Sequence, residues 1–137
     1  MKLKIAIAAA LFALPVPLQA QQFTTAAEVK PILDATKASW VAVREYDGKD
    51  LLYFTHLLAW RCGLEAIYYS VNDGPETQWL GEPCHKGEAQ PNAIKSENLL
   101  PFVSYDLNSI RRVKVRLVYD DGSEDTAAFK RDAIMTP

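Results

Sequence analysis

The chain is short of cysteine and histidine, with two of each among 137 residues, and it has no excess of basic charge. Each shortage excludes something. Two cysteines cannot build a four-thiolate zinc site or a disulfide-dense mini-protein. Lys and Arg number 15 against 17 Asp and Glu, a formal net charge of -2, which argues against a dedicated nucleic-acid binder. The familiar signatures of chemistry are also missing. There is no Gly-x-Ser-x-Gly, no Gly-x-Gly-x-x-Gly, no Gly-Lys-Ser/Thr phosphate loop, no His-Glu-x-x-His and no Cys-x-x-Cys. No catalytic residue, metal or cofactor is therefore assigned. An apolar share of 49% beside 23% charged residues excludes wholesale disorder, and the length suits one hydrophobic core.

What is present begins with an address. Lys2 and Lys4 precede an unbroken apolar run from Ile5 to Leu14, followed by Pro15, Pro17 and a small residue at Ala20. That is the layout of a secretory signal peptide, and the run is about half of the ~20 residues a membrane-spanning helix needs. The expected organisation is a signal peptide over 1–20 and one exported domain over 21–137. Cleavage near Ala20 leaves 13 basic against 17 acidic side chains and no second apolar run of spanning length. The expected location is periplasmic or secreted.

Both cysteines, Cys62 and Cys84, lie in the exported part, where an even count reads as one disulfide. The bridge closes a loop of about 23 residues, worth roughly 3 kcal/mol in the chain-entropy account. His85 then reads as a loop residue beside a structural cystine.

Along the mature chain, Thr25-Ala26-Ala27-Glu28 forms a capping box. Val29, Ile32, Leu33, Thr36 and Trp40 share one helical face, so a helix is expected over 26–38, with Pro31 in its second turn. Asp47-Gly48 separates two β-prone runs and predicts a hairpin with Val43 opposite Leu52. Its second strand, 49–58, is apolar on both faces and reads as central. Strands are expected at 64–71 and 77–80, a disulfide-pinned loop at 81–92, and one helical turn at 96–100. Arg112, Lys114 and Arg116 alternate with Val113, Val115 and Leu117. Gly122 in a three-residue loop sets Val115 against Ala127 and Val113 against Phe129. The expected fold class is α+β: an N-terminal helix packed on an antiparallel sheet built from hairpins, with one disulfide. The alternative is a β-sandwich or barrel with the helix plugging one end.

Two surfaces are candidates for binding. Arg112, Lys114 and Arg116 form a positive stripe on one strand face, suited to an anionic surface or an acidic partner, or serving only as a solvated face. Tyr68, Trp79 and His85 lie on or near the disulfide-stiffened loop, and preorganised aromatic loops make good recognition surfaces. His56, in an apolar run, reads as a satisfied structural histidine.

The stretch WVAVREYDGKDLLYFTHLLAWRCGLEAIYYSVNDG from Trp40 to Gly74, followed by Glu82-Pro83-Cys84-His85, resembles small uncharacterised exported proteins of alphaproteobacteria. The resemblance implies export and supplies no activity, cofactor or catalytic residue. The functional expectation is a non-enzymatic module that binds a protein or envelope component, with neither nucleic acid nor a membrane span in the mature chain. The alternatives are a small hydrolase using His56 or His85, and a small-ligand carrier with a pocket lined by Tyr53, Tyr68 and Trp79.

Overall fold

The computed structural model describes residues 2–4, 8–12 and 21–137. Most of the segment read as a signal peptide lies outside the described residues. Among the described residues, no helix is long and apolar enough to cross a membrane.

Helix α1 spans Ala26–Ala35 and begins as its sequence predicts. The Thr25 hydroxyl accepts from the Glu28 amide at 3.3 Å and donates to the Glu28 carboxylate at 2.9 Å. That carboxylate reaches the Phe23 amide at 3.1 Å, so the box closes two residues further back than the simple motif. A second cap comes from far along the chain, where Asp120 accepts from the Ala26 amide at 2.7 Å. The helix ends three residues earlier than expected. The Thr36 hydroxyl donates to the Ile32 carbonyl at 2.7 Å, and a 3-10 turn, Lys37–Ser39, follows. Ala26, Val29, Leu33 and Trp40 are buried, and the Trp40 indole donates to the Leu33 carbonyl.

Strands β1 (Ala42–Tyr46) and β2 (Lys49–Tyr53) pair with Val43 opposite Leu52, as the turn chemistry predicts. Asp47 and Gly48 both have positive φ, which the tight hairpin turn requires. β2 is central, between β1 and β5 (Phe102–Asp106). It does not run to Leu58, because Thr55–Leu58 forms a short helix, α2. Phe54, Leu57 and Leu58 stand at i, i+3 and i+4 and are all buried, which a helical turn achieves on one face and a strand only when both its faces are covered. A 3-10 turn, Arg61–Gly63, leads into β3 (Leu64–Val71). Gly63 sits against α1: a Cβ there would fall 2.8 Å from the Thr25 carbonyl oxygen and collide with Val29.

β4 (Thr77–Gln78), β6 (Arg112–Tyr119) and β7 (Glu124–Lys130) complete a second sheet, in the order β4-β3-β6-β7. Val115 lies opposite Ala127 and Val113 opposite Phe129, the register of the three-residue loop. Gly122 has positive φ as that loop needs. β5 (Phe102–Asp106) is a strand the sequence reading omits, and the helical turn expected at 96–100 does not form. A final short helix, α3 (Arg131–Ile134), precedes a bridge from Met135 to Val43.

The strands thus make two antiparallel sheets where one was expected, within an α+β fold. Alternation sends Val43 and Leu52 from one sheet, with Phe54 just past the end of β2, and Ile67, Tyr69, Val113, Val115 and Leu117 from the other into a single core, together with α1. Phe54 stands between the sheets, stacked on Trp79 at 4.7 Å and edge-on to Tyr69 at 5.0 Å.

Candidate functional site

The residues singled out in the sequence separate into three places. Arg112, Lys114 and Arg116 do form a stripe, on the outer face of the four-stranded sheet, with Tyr68 opposite Arg116. The stripe is matched by acids. Asp73 lies 3.0 Å from Lys114 and 3.9 Å from Arg112. Arg116 bridges Glu76 at 2.5 Å and Glu124 at 2.6 Å, and its guanidinium covers the Tyr68 ring at 4.2 Å. Glu76 and then Glu124 push the Arg116 pKa further up, while Lys114 holds that of Asp73 down and Arg116 holds that of Glu76 down. The cations therefore meet their charge within the chain, and Tyr68 is half-covered.

Trp79 is a core residue, 8% exposed. Tyr53 belongs to the outer face of the other sheet, so Tyr53, Tyr68 and Trp79 line no common pocket. The carrier reading loses the cavity it required.

His85 belongs to a buried polar cluster that organises the loop after β4. Cys62 and Cys84 are bonded, with their Cα atoms 4.9 Å apart. Beside the bridge, the buried Arg61 guanidinium donates to the carbonyls of Leu58, Pro83, Asn92 and Ala93 at 2.8–3.0 Å and to Glu82 at 3.1 Å. Glu82 accepts from the amides of Lys95 and Ser96 and contacts His85 Nε2 at 2.6 Å. The Lys95 amide first, then Ser96, His85 and Arg61, hold the Glu82 carboxyl at about 2. A loop without a ladder must satisfy its carbonyls some other way, and the two Nη groups of a planar cation do so, its Nε staying without a partner among the described residues.

The third place is an open groove of about 500 Å³ bordered by Ser39, Trp40, Arg44, Tyr53, Thr55 and His56. Its size is within the range of small-ligand sites. β1 and β2 supply Arg44 and Tyr53 on the face opposite the core, and α2 supplies His56. The Thr36 hydroxyl has one proton, and its 2.7 Å contact with the Ile32 carbonyl uses it. Its oxygen must therefore accept from His56 Nε2–H, 2.9 Å away. Burial pushes the imidazole below the usual histidine range, so it is neutral near pH 7. In that tautomer Nδ1 carries a lone pair. Arg44 is exposed, stacks on Tyr46 at 4.8 Å, and has no carboxylate in salt-bridge range among the described residues. Tyr53 and Phe102 pack at 5.2 Å on the same face.

His56 is thus satisfied on one nitrogen, as its sequence context suggests, and open on the other. Arg44 escaped the sequence reading. The signal was the alternation of Ala42, Arg44 and Tyr46 with the apolar Val41 and Val43, which marks an outer face.

Comparison of the chain with protein-family profiles, with curated proteins and with solved structures gives no match.

Proposed function

We propose that the chain is an exported binding protein whose working site is the groove between α2 and the outer face of β1–β2. The N-terminal signal pattern and the disulfide, which forms readily in an oxidising compartment, support export. The observation that carries the binding reading is the pairing of unlike, unmatched groups along one groove. Among the described residues, Arg44 offers a cation with no carboxylate in salt-bridge range, and His56 Nδ1 offers an acceptor without a donor. The Tyr53 ring adds an apolar stacking surface between hydroxyl-bearing neighbours. A ligand carrying a carboxylate, a hydroxyl and a flat C–H face complements all three, which describes an acidic sugar unit of an envelope polysaccharide.

Titration with glucuronate oligosaccharides, monitored by calorimetry and by amide chemical shifts, tests this directly. Binding is expected to weaken at least about tenfold in Arg44→Ala and in His56→Ala, the scale of one charged or hydrogen-bonded contact. Neutral glucose oligomers should bind worse by a similar factor. Absence of glucuronate binding by the wild type would defeat the reading.

A neutral imidazole with an open nitrogen also favours a second reading, a hydrolase with His56 as base. Product analysis of the same incubations separates the two. Cleavage that disappears in His56→Ala would replace binding with hydrolysis.

A further inference from the structure

The four-stranded sheet ends on β7, whose outer edge pairs with nothing among the described residues. We propose that this edge pairs with β7 of a second copy, antiparallel and centred on Ala127, joining two four-stranded sheets into one.

The backbone fixes which groups face outwards. Tyr119 donates to the Ser123 carbonyl at 2.8 Å and Arg131 to the Arg111 carbonyl at 2.9 Å. In an antiparallel ladder, residues exchanging such bonds recur every second position. Asp125, Ala127 and Phe129 therefore bond inwards to β6. The amides and carbonyls of Glu124, Thr126, Ala128 and Lys130 point to the free edge, and these four residues are exposed.

Self-pairing about Ala127 sets Glu124, whose carboxylate also meets Arg116 of its own chain, opposite Lys130 of the second copy, and Thr126 opposite Ala128, each pair repeated by symmetry. Every outward amide and carbonyl then finds a partner, giving roughly eight main-chain bonds at two per closely spaced pair. Shifting the register by two residues either way leaves Glu124 or Lys130 without its opposite charge. The central residues Thr126, Ala127 and Ala128 are small, and the β6–β7 ladder shows no bulge. The edge also lacks proline, a device that normally discourages edge pairing, and its one inward-facing charge, Asp125, is held within its own chain by the Tyr119 hydroxyl at 2.7 Å.

The remaining edges do not share this self-complementarity. β1 is covered by the tail, where Thr136 donates to the Val43 carbonyl at 2.9 Å. β4 has two residues. β5 carries Asp106 and no basic residue to oppose it.

Sedimentation equilibrium of the full chain, purified after expression and export, reads the association constant. The wild type is expected to dimerise. Lys130→Glu converts both end pairs from attraction to repulsion and should weaken the dimer about tenfold, two cross-strand charge pairs at the usual scale. Exchanging the charges, Glu124→Lys with Lys130→Glu, should restore association to within about threefold. Thr126→Pro removes an outward amide and no bond to β6, so it should give a monomer with an unchanged circular dichroism spectrum. Should that variant unfold, the charge pair of variants decides alone. A wild type that stays monomeric to millimolar concentration overturns the proposal. So does a dimer indifferent to Lys130→Glu.

Discussion

Arg131 clasps the fully buried carboxylate of Asp50 with two bonds, Nη1 to Oδ2 at 2.6 Å and Nη2 to Oδ1 at 3.0 Å. Asp50 lies in β2, and Arg131 begins α3 directly after β7, so the pair ties the two sheets together. Asp50 also accepts from the amides of Asn108 and Ile110, each at 3.1 Å, which fixes the connection from β5 to β6. Arg131 in turn donates to the Ile110 carbonyl and to Glu45. Every oxygen of a carboxylate taken wholly out of water is thereby satisfied.

Removing one partner of such a pair strands the other in the interior. Arg131→Met is expected to cost about 3–4 kcal/mol, because the Asp50 charge stays buried with only amides for company. Asp50→Asn with Arg131→Met, which removes both charges, should cost less than Arg131→Met alone. Urea denaturation of the three proteins measures this. A single variant no worse than the double would show that the pair is not coupled.

Acid should loosen the same joint. The Arg131 guanidinium first, then the two amides, hold the Asp50 carboxyl at about 2 in the folded chain, below its ordinary 3.8. Glu82 is held at about 2 against an ordinary 4.5. A depressed carboxyl stabilises the folded state fully above its unfolded pKa, and the contribution is lost as pH falls through the folded one. Melting temperature is therefore expected to hold above roughly pH 5 and to drop steeply between about pH 4 and pH 2. Arg131→Met should flatten the Asp50 share of that drop. An identical acid profile in the variant would count against it.

The elements that a local signal specifies were legible in the sequence. The Asp47-Gly48 turn fixed the first hairpin, and the alternation of Val113, Val115 and Leu117 fixed the last. Two runs misled for physical reasons. Phe54, Leu57 and Leu58 are apolar enough for a buried strand, and only their i, i+3, i+4 spacing betrays a helical turn. β5 is five residues behind a long irregular loop, and its place beside β2 depends on Asp50 gripping Asn108 and Ile110 from 58 and 60 positions away. The candidate groove was half legible. His56 stood out as one of two histidines, but its tautomer depends on a threonine in another element. Arg44 gains meaning only once the fold leaves it with no carboxylate in salt-bridge range among the described residues.

The loop from Gly81 to Ser96 carries the last test, because two staples hold it and they act differently. The Cys62–Cys84 bond restricts the unfolded chain, so its loss should lower global stability by about 3 kcal/mol or less. Arg61 acts in the folded state alone, gathering four carbonyls and one carboxylate from 58 to 93 around one planar cation. Arg61→Lys keeps the charge but replaces that fork with a single nitrogen, which cannot span the same acceptors. With the disulfide intact, the variant should still show amide exchange in 82–96 rising about tenfold or more, because each carbonyl left buried without a donor costs on the order of 1–3 kcal/mol. Exchange in β6 should change far less, since its bonds lie in the ladder with β3 and β7. Equal acceleration in both regions would mean that Arg61 supports the whole core. Acceleration in neither would mean that the disulfide alone holds the loop.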